Sequence, residues 1–228
     1  MTPATVALFV RPPVPGRVKT RLAATIGDRL ACTLYRAMVL DVLGAVQASG
    51  LELCLFHDGS DPEQLPAAWR RRATRVLPQC AGDLGARMAT AFVDCFAAGC
   101  DRVLLAGSDL PGLDAPTLLA AARGLEQDEA VLLPTRDGGY GLFGLRAAAF
   151  SPSFFKDIAW STDRVLAATL LRLQQAGVRV QLLPVQGDID TINDLRSYCR
   201  QPAAHAGHTN AVLRVLGRPG PRRLFNES

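Results

Sequence analysis

Redox and zinc chemistry have little to work with in this sequence. None of the six cysteines (Cys32, Cys54, Cys80, Cys95, Cys100 and Cys199) forms a CxxC pair, and His57, His205 and His208 do not complete a zinc pattern with them. Several stand in apolar runs, as in Leu53-Cys54-Leu55, and read as reduced thiols in or near a core. Two widespread phosphate loops are also missing, GxxxxGK followed by Ser or Thr, and GxGxxG. No apolar run approaches the roughly 18 residues of a membrane span. Residues 1–10 carry no basic leader, so the expectation is a cytoplasmic chain without a secretory signal.

Charge of one sign is scarce as well. The formal net charge is +4 over 228 residues. Residues 201–228 hold most of it, with Arg214, Arg218, Arg222 and Arg223 against Glu227. A nearly neutral body argues against a nucleic-acid face. The Gly- and Pro-rich tail reads as a loosely ordered end.

What is present is enough apolar material for one full core. At 49% hydrophobic and 20% charged, the composition excludes disorder. A chain of this length buries about 70% of its unfolded surface. The expectation is a single domain over residues 1–200 followed by the tail. Strand patterns fall at 5–10, 51–56, 74–77, 102–106, 130–134, 140–145 and 178–184. Helical patterns fall at 26–48, 62–69, 83–98, 114–126, 163–175 and 191–199. This alternation implies an α/β fold with a mostly parallel sheet covered on both faces. The link at 137–139 is too short for a helix, so one strand breaks the parallel pattern. Ligands of such sheets bind beyond the carboxyl ends of the strands.

Three loops at those ends look chemical. The first follows strand 5–10 and carries Arg11, Arg17, Lys19 and Arg21 around Pro12, Pro13, Pro15 and Gly16. Pro and Gly fix its shape, and its cations suit phosphate oxygens. Only Lys19 and Lys156 among the 25 basic residues are lysines, so a lysine here suggests that a compact ammonium is needed. The alternative is a solvated loop whose exposed cations add little stability. The second loop, Gly107-Ser108-Asp109-Leu110-Pro111, places Asp109 where a carboxylate can hold Mg²⁺ against phosphates. Equally, an Asp here can open a turn. The third, Asp188-Ile189-Asp190-Thr191, brings Asp190 to the same end of the sheet. Thr191 with Asp194 makes a plausible cap pair, and Asp190 can cap the same helix.

Three further segments are weaker. Gly82, Asp83 and Gly85 lead into a helix and would let backbone approach a flat base. Asp137-Gly138-Gly139-Tyr140 reads as a hairpin turn followed by a tyrosine. Trp160-Ser161-Thr162 reads as a helix entry whose tryptophan walls a pocket or packs in the core.

Together the segments PxPGxxKTRL, GDLGxRM, SDxP, DGGY, WST and DIDTxxDL, in this order up to about Cys199, resemble an uncharacterised bacterial group. It belongs to the glycosyltransferase-A-type nucleotide-diphospho-sugar transferase superfamily, and some of its members are linked to arsenosugar biosynthesis. The resemblance implies a three-layer sandwich with one antiparallel strand, a nucleotide in the first half, and Mg²⁺ or Mn²⁺. It implies metal ligation by Asp109 and Asp190, with Lys19 joining them in catalysis. It places Arg11, Gly16, Lys19, Arg21, Gly82, Asp83 and Gly85 against nucleotide and phosphate. It places Asp137, Gly138, Gly139, Tyr140, Trp160, Ser161 and Thr162 against the second substrate. Pro111 stands where a full DxD motif would have its second acid, so the second ligand must come from elsewhere, with Asp190 the expectation. The implied reaction is metal-dependent transfer from a nucleotide sugar to a small-molecule acceptor. The alternatives are nucleotidyl transfer with release of pyrophosphate, and a degenerate nucleotide-binding module. No nucleic-acid partner and no membrane span are expected, and the oligomeric state is open.

Overall fold

Seven strands form one sheet in the computed structural model, which describes residues 4–59 and 61–216. They are β1 (Thr5–Val10), β2 (Glu52–His57), β3 (Arg75–Pro78), β4 (Arg102–Gly107), β5 (Ala130–Pro134), β6 (Tyr140–Arg146) and β7 (Val180–Leu182), in the order β3-β2-β1-β4-β6-β5-β7. β6 runs antiparallel to both β4 and β5, while every other pairing is parallel. The short 137–139 link forces that reversal. β1 and β4 are buried on both faces, which is why they read as continuous apolar runs.

Helices cover both faces. On one side lie α1 (Thr20–Ile26), α2 (Asp28–Ser49), α5 (Ala115–Gln127), α7 (Ile192–Arg200) and α8 (Gly207–Leu216), joined to the sheet through Leu22, Met38, Leu118, Leu195 and Leu213. On the other lie α4 (Leu84–Ala97) and α6 (Val165–Gln175), whose Phe92 and Leu173 share one core with Phe56 and Phe143 of the sheet. A single turn, α3 (Ala67–Arg70), seats Trp69 edge-on to Tyr35, with ring centroids 6.3 Å apart. The expected three-layer sandwich is therefore the observed fold.

Three expectations change. The helix expected at 26–48 is α2, but the loop before it also holds an unexpected helix, α1, which Gly27 at φ 87° separates from α2. α2 is, against expectation, long and apolar enough to cross a membrane, with mean hydropathy 1.3 over 18 residues. Two thirds of that stretch is buried inside the domain, so its apolarity serves the core. The tail is not loose throughout either. α8 packs on α2, and the buried Asp41 carboxylate accepts the His208 and Thr209 backbone N–H groups at 2.9 and 2.8 Å. This satisfies amide donors that a helix start otherwise leaves unpaired. Arg218, Arg222 and Arg223 lie outside the described residues.

The topology locates the place to look. From β1 the chain steps outward to β2 and β3, then returns to the other side of β1 as β4. The carboxyl ends of β1 and β4 flank this switch point, where a sheet of this kind opens a crevice.

Candidate functional site

The loop leaving β1 ends at Lys19, which precedes α1 in a left-handed conformation with φ 49° and ψ 44°. That backbone is costly for a residue with a side chain. Here it accompanies an ammonium turned back into the crevice. Lys19 Nζ lies 3.0 Å from Asp109 Oδ2 and 3.5 Å from Asp190 Oδ1, with only 6% of its side chain exposed. Arg21 Nη1 donates to Asp190 Oδ2 at 2.8 Å and is 73% exposed. Lys19 and Arg21 at the start of α1, with Asp109 and Asp190 from two loops, thus meet at the carboxyl ends of β1, β4 and the β7 side of the sheet. The Ile189 N–H donates to the Asp109 carbonyl at 3.1 Å and ties two of those loops together.

Asp190 and Asp194 divide their work. The helix start belongs to Thr191 and Asp194, which form a reciprocal capping box. The Asp190 carboxylate points to Lys19 and Arg21 and does not cap the helix. The alternative of a merely solvated loop fails at Lys19, which is buried between two acids.

A brace that sequence reasoning missed lies beneath. The Tyr35 hydroxyl, on α2 and buried, accepts the Arg11 N–H at 2.7 Å and lies 3.3 Å from Ser108 Oγ. It joins the loops after β1 and β4. Burial pushes its phenol up to about 12. Its sequence signal was only a tyrosine in an apolar helix. Arg11 itself turns outward to Asp58, with Nε 3.0 Å from Oδ2. Gly16, at φ 80°, shapes the loop beside Asp28.

The electrostatics of the crevice are set by excess acid. Burial works to raise the Asp109 carboxyl, but the Lys19 ammonium outweighs it and holds the group below its ordinary value. Burial works to lower Lys19, and Asp109 with Asp190 outweighs it in turn. Lys19 also acts to lower Asp188 but does not outweigh its surroundings. Burial, then Asp109 and Asp137, push it up to about 6. Asp109, Asp188 and Asp190 thus outnumber Lys19 and Arg21 where the implied Mg²⁺ or Mn²⁺ would sit. Among the described residues no three His, Cys, Asp or Glu side chains form a metal-binding set. Two hard carboxylates do fit Mg²⁺, which is commonly held by one or two carboxylates plus substrate phosphates and water. Asp109 and Asp190 are the residues that would hold it.

The remaining expected residues form a second group. Asp83 caps α4, accepting the Ala86 N–H at 2.8 Å, next to Gly82. Gly85 faces Trp160, because a Cβ there would stand 2.8 Å from the indole Nε1 and 2.5 Å from the Phe155 carbonyl. Gly138, at φ 85°, lies against the backbone of Asp163, where a Cβ would come within 2.2 Å of the carbonyl oxygen. Asp137 Oδ1 accepts from Thr135 Oγ1 at 2.6 Å and from the Gly139 N–H at 3.1 Å. Tyr140 packs edge-on to Phe143, and burial pushes its phenol upward. Ser161 is left-handed with φ 64°. Thr162 donates to the Ala159 carbonyl at 2.7 Å, and neither hydroxyl caps α6. Asp188 links the groups, since it feels both Asp109 and Asp137.

Residues 41–162 match the family described as "Uncharacterized protein conserved in bacteria (DUF2064)". The chain belongs to this family. A structure from Desulfovibrio desulfuricans G20, described as a candidate nucleotide-diphospho-sugar transferase, is 30% identical to this DUF2064 chain. It covers 94% of this chain and 98% of its own, with a TM-score of 0.81. A nucleotidyl transferase from Methanothermobacter thermautotroptrophicus aligns at TM-score 0.57 and 16% identity, over 94% of this chain and 100% of its own. Rv0371c of Mycobacterium tuberculosis, in complex with manganese, aligns at 0.51 and 17%, over 88% and 100%. The last two share the fold alone. No curated protein matches the chain.

Proposed function

We propose that this DUF2064 protein is a transferase that takes a nucleotide-activated sugar in the crevice between β1 and β4, with Mg²⁺ or Mn²⁺ held by Asp109 and Asp190. The observation that carries this reading is the Lys19 ammonium held between those two carboxylates at the switch point. The description of the Desulfovibrio relative supports the donor class. The manganese complex of a protein with this fold supports the cation.

In this reading Lys19 and Arg21 receive the donor's phosphate oxygens through charge-assisted hydrogen bonds. Their acidic partners hold both cations in place before the ligand arrives, so little ordering is left for binding. A divalent cation, when bound, supplies charge neutralisation for the departing nucleoside diphosphate. Tyr35 keeps the walls of the crevice at a fixed spacing. The bond from the sugar carbon to the phosphate oxygen breaks and nucleoside diphosphate leaves, while the acceptor hydroxyl oxygen bonds that carbon and releases its proton to water.

Nucleotidyl transfer is the second reading. The basic loop favours it, since pyrophosphate as a leaving group carries more charge than a nucleoside diphosphate, and a nucleotidyl transferase shares the fold. A melting-temperature screen of nucleoside triphosphates and nucleotide sugars, with and without Mg²⁺ or Mn²⁺, tests both readings. A ligand at 100 times its dissociation constant adds about 2.7 kcal/mol. Metal-dependent stabilisation with release of nucleoside diphosphate supports the first reading, and release of pyrophosphate supports the second. Stabilisation by no nucleotide overturns both.

A further inference from the structure

A cavity of about 400 Å³ opens beside Asp188, on the flank of the crevice away from β1. Its volume lies within the roughly 300–1,000 Å³ of small-molecule sites. Arg136 and Asp137 line it after β5, residues 185–188 after β7, and Ser197 with Tyr198 on α7. Apart from Asp137 and Asp188, these residues drew no attention in the sequence.

Their hydrogen-bonding groups are unevenly used. Asp194 also lines the cavity, but its Oδ2 already accepts from the Asp190 and Thr191 backbones and from Thr191 Oγ1. Asp137 spends Oδ1 on Thr135 and Gly139, which leaves Oδ2. Gln186 Oε1 is buried with no hydrogen-bond partner, although its backbone is fixed by Pro134 and Arg136. A donor hydroxyl brought within its reach would satisfy this acceptor. Arg136 has no acidic partner among the described residues. Its side chain runs across Gly187, whose missing Cβ would otherwise lie 3.9 Å from Cδ, Nε and Cζ. The guanidinium is thus displayed along the cavity wall, a fork suited to carboxylate or phosphate.

We infer that this cavity is the acceptor subsite, and that it takes a small hydroxyl-rich molecule bearing one anionic group, such as a sugar phosphate or sugar acid. The anion lies on Arg136, and the hydroxyls reach Gln186, Asp137 and Asp188. Asp188 lines the cavity and directly precedes Ile189, whose N–H is bonded to the Asp109 carbonyl at 3.1 Å, so this wall of the cavity adjoins the transfer crevice. The acceptor role rests on the transferase reading above.

Calorimetric titration of the full chain with glucose 6-phosphate, gluconate and glucose tests the assignment. Saturable binding of glucose 6-phosphate or gluconate, at least about 10-fold tighter than glucose, is expected. Phosphate and carboxylate recognition are told apart by which of the two binds. Arg136→Gln should weaken that binding about 10-fold, with Arg136→Lys intermediate because it keeps the charge and loses the fork. Neither exposed substitution should alter melting or nucleotide binding. Failure of both anions to bind, equal binding of glucose, or indifference to Arg136→Gln overturns the assignment. A parallel nucleotide titration with Mg²⁺ separates the two failures. Nucleotide binding without binding of either anion sinks this inference alone. Binding of an anion without any nucleotide sinks the transferase reading and the acceptor role with it.

Discussion

Two groups of conspicuous residues lie along the carboxyl ends of the strands, and they are built differently. Around Lys19, side chains of opposite charge from the start of α1 and two loops meet one another, and the contacts are polar. Around Gly85, Gly138 and Trp160, the contacts are steric, made by backbone pressed on backbone and on an indole ring. In the first group the identity of the charged atoms matters. In the second, the absence of a side chain matters. Residues equally prominent in the sequence thus meet through charge in one place and through close packing in the other.

Substitutions can break that contrast. The largest effect is expected at Gly138→Ala, which meets the Asp163 backbone at a positive φ. Neither partner can move cheaply, so a loss above about 3 kcal/mol is expected. In a chain of this size that is a fall in melting temperature of about 6–12 °C by calorimetry. A fall below about 2 °C would show the packed group to be looser than its geometry.

Asp109→Asn should cut turnover on the order of 10²-fold, as for the loss of one preorganised group that stabilises charge. Raised Mn²⁺ should restore part of the rate. The shape is conserved, but buried Lys19 loses the charge of its nearer partner, so about 1–3 kcal/mol, or roughly 2–12 °C, should be lost as well. A purely turn-forming Asp109 would tolerate Asn in both assays.

The acids of the last motif sharpen the comparison within a single loop. Asp194→Ala removes one arm of the capping box and should cost about 1 kcal/mol, or about 2–4 °C. Metal-dependent nucleotide binding should be nearly unaffected. Asp190→Asn should show the reverse, with unaltered melting and weaker binding. The smallest stability effect is expected at Arg21→Ala, since an exposed pair contributes roughly 0–1 kcal/mol. Nucleotide affinity should nonetheless fall, and an unchanged titration would return Arg21 to the role of a solvating cation.

Much of this fold was legible because strand and helix differ in period, and because a three-residue turn leaves no room for a crossover. The one antiparallel strand followed from that turn alone. α1 was not legible, since its seven residues directly follow a Pro- and Gly-rich basic loop and are too few to show a helical period. α8 was hidden by a Gly- and Pro-rich setting, and its start depends on Asp41, 167 positions away. In the site, Lys19 stood out through the scarcity of lysine, and Asp109 through its place after a buried strand. Asp190 was ambiguous, because an acid before a helix suits either a cap or a ligand. Only the tertiary contact with Lys19 decides its direction. Tyr35 and Arg136 carried no local signal, for each acts through loops distant in sequence.

A calorimetric titration with nucleoside diphosphates, with and without Mn²⁺, on the unmodified chain, Lys19→Met and Asp109→Asn bears most directly on the crevice. Saturable, Mn²⁺-dependent binding is expected in the unmodified chain. It should weaken at least about 10-fold in both variants, since each loses a charged partner of the phosphate or the cation. Nucleotide binding that needs no metal and survives both substitutions would contradict the assignment of Lys19, Asp109 and Asp190.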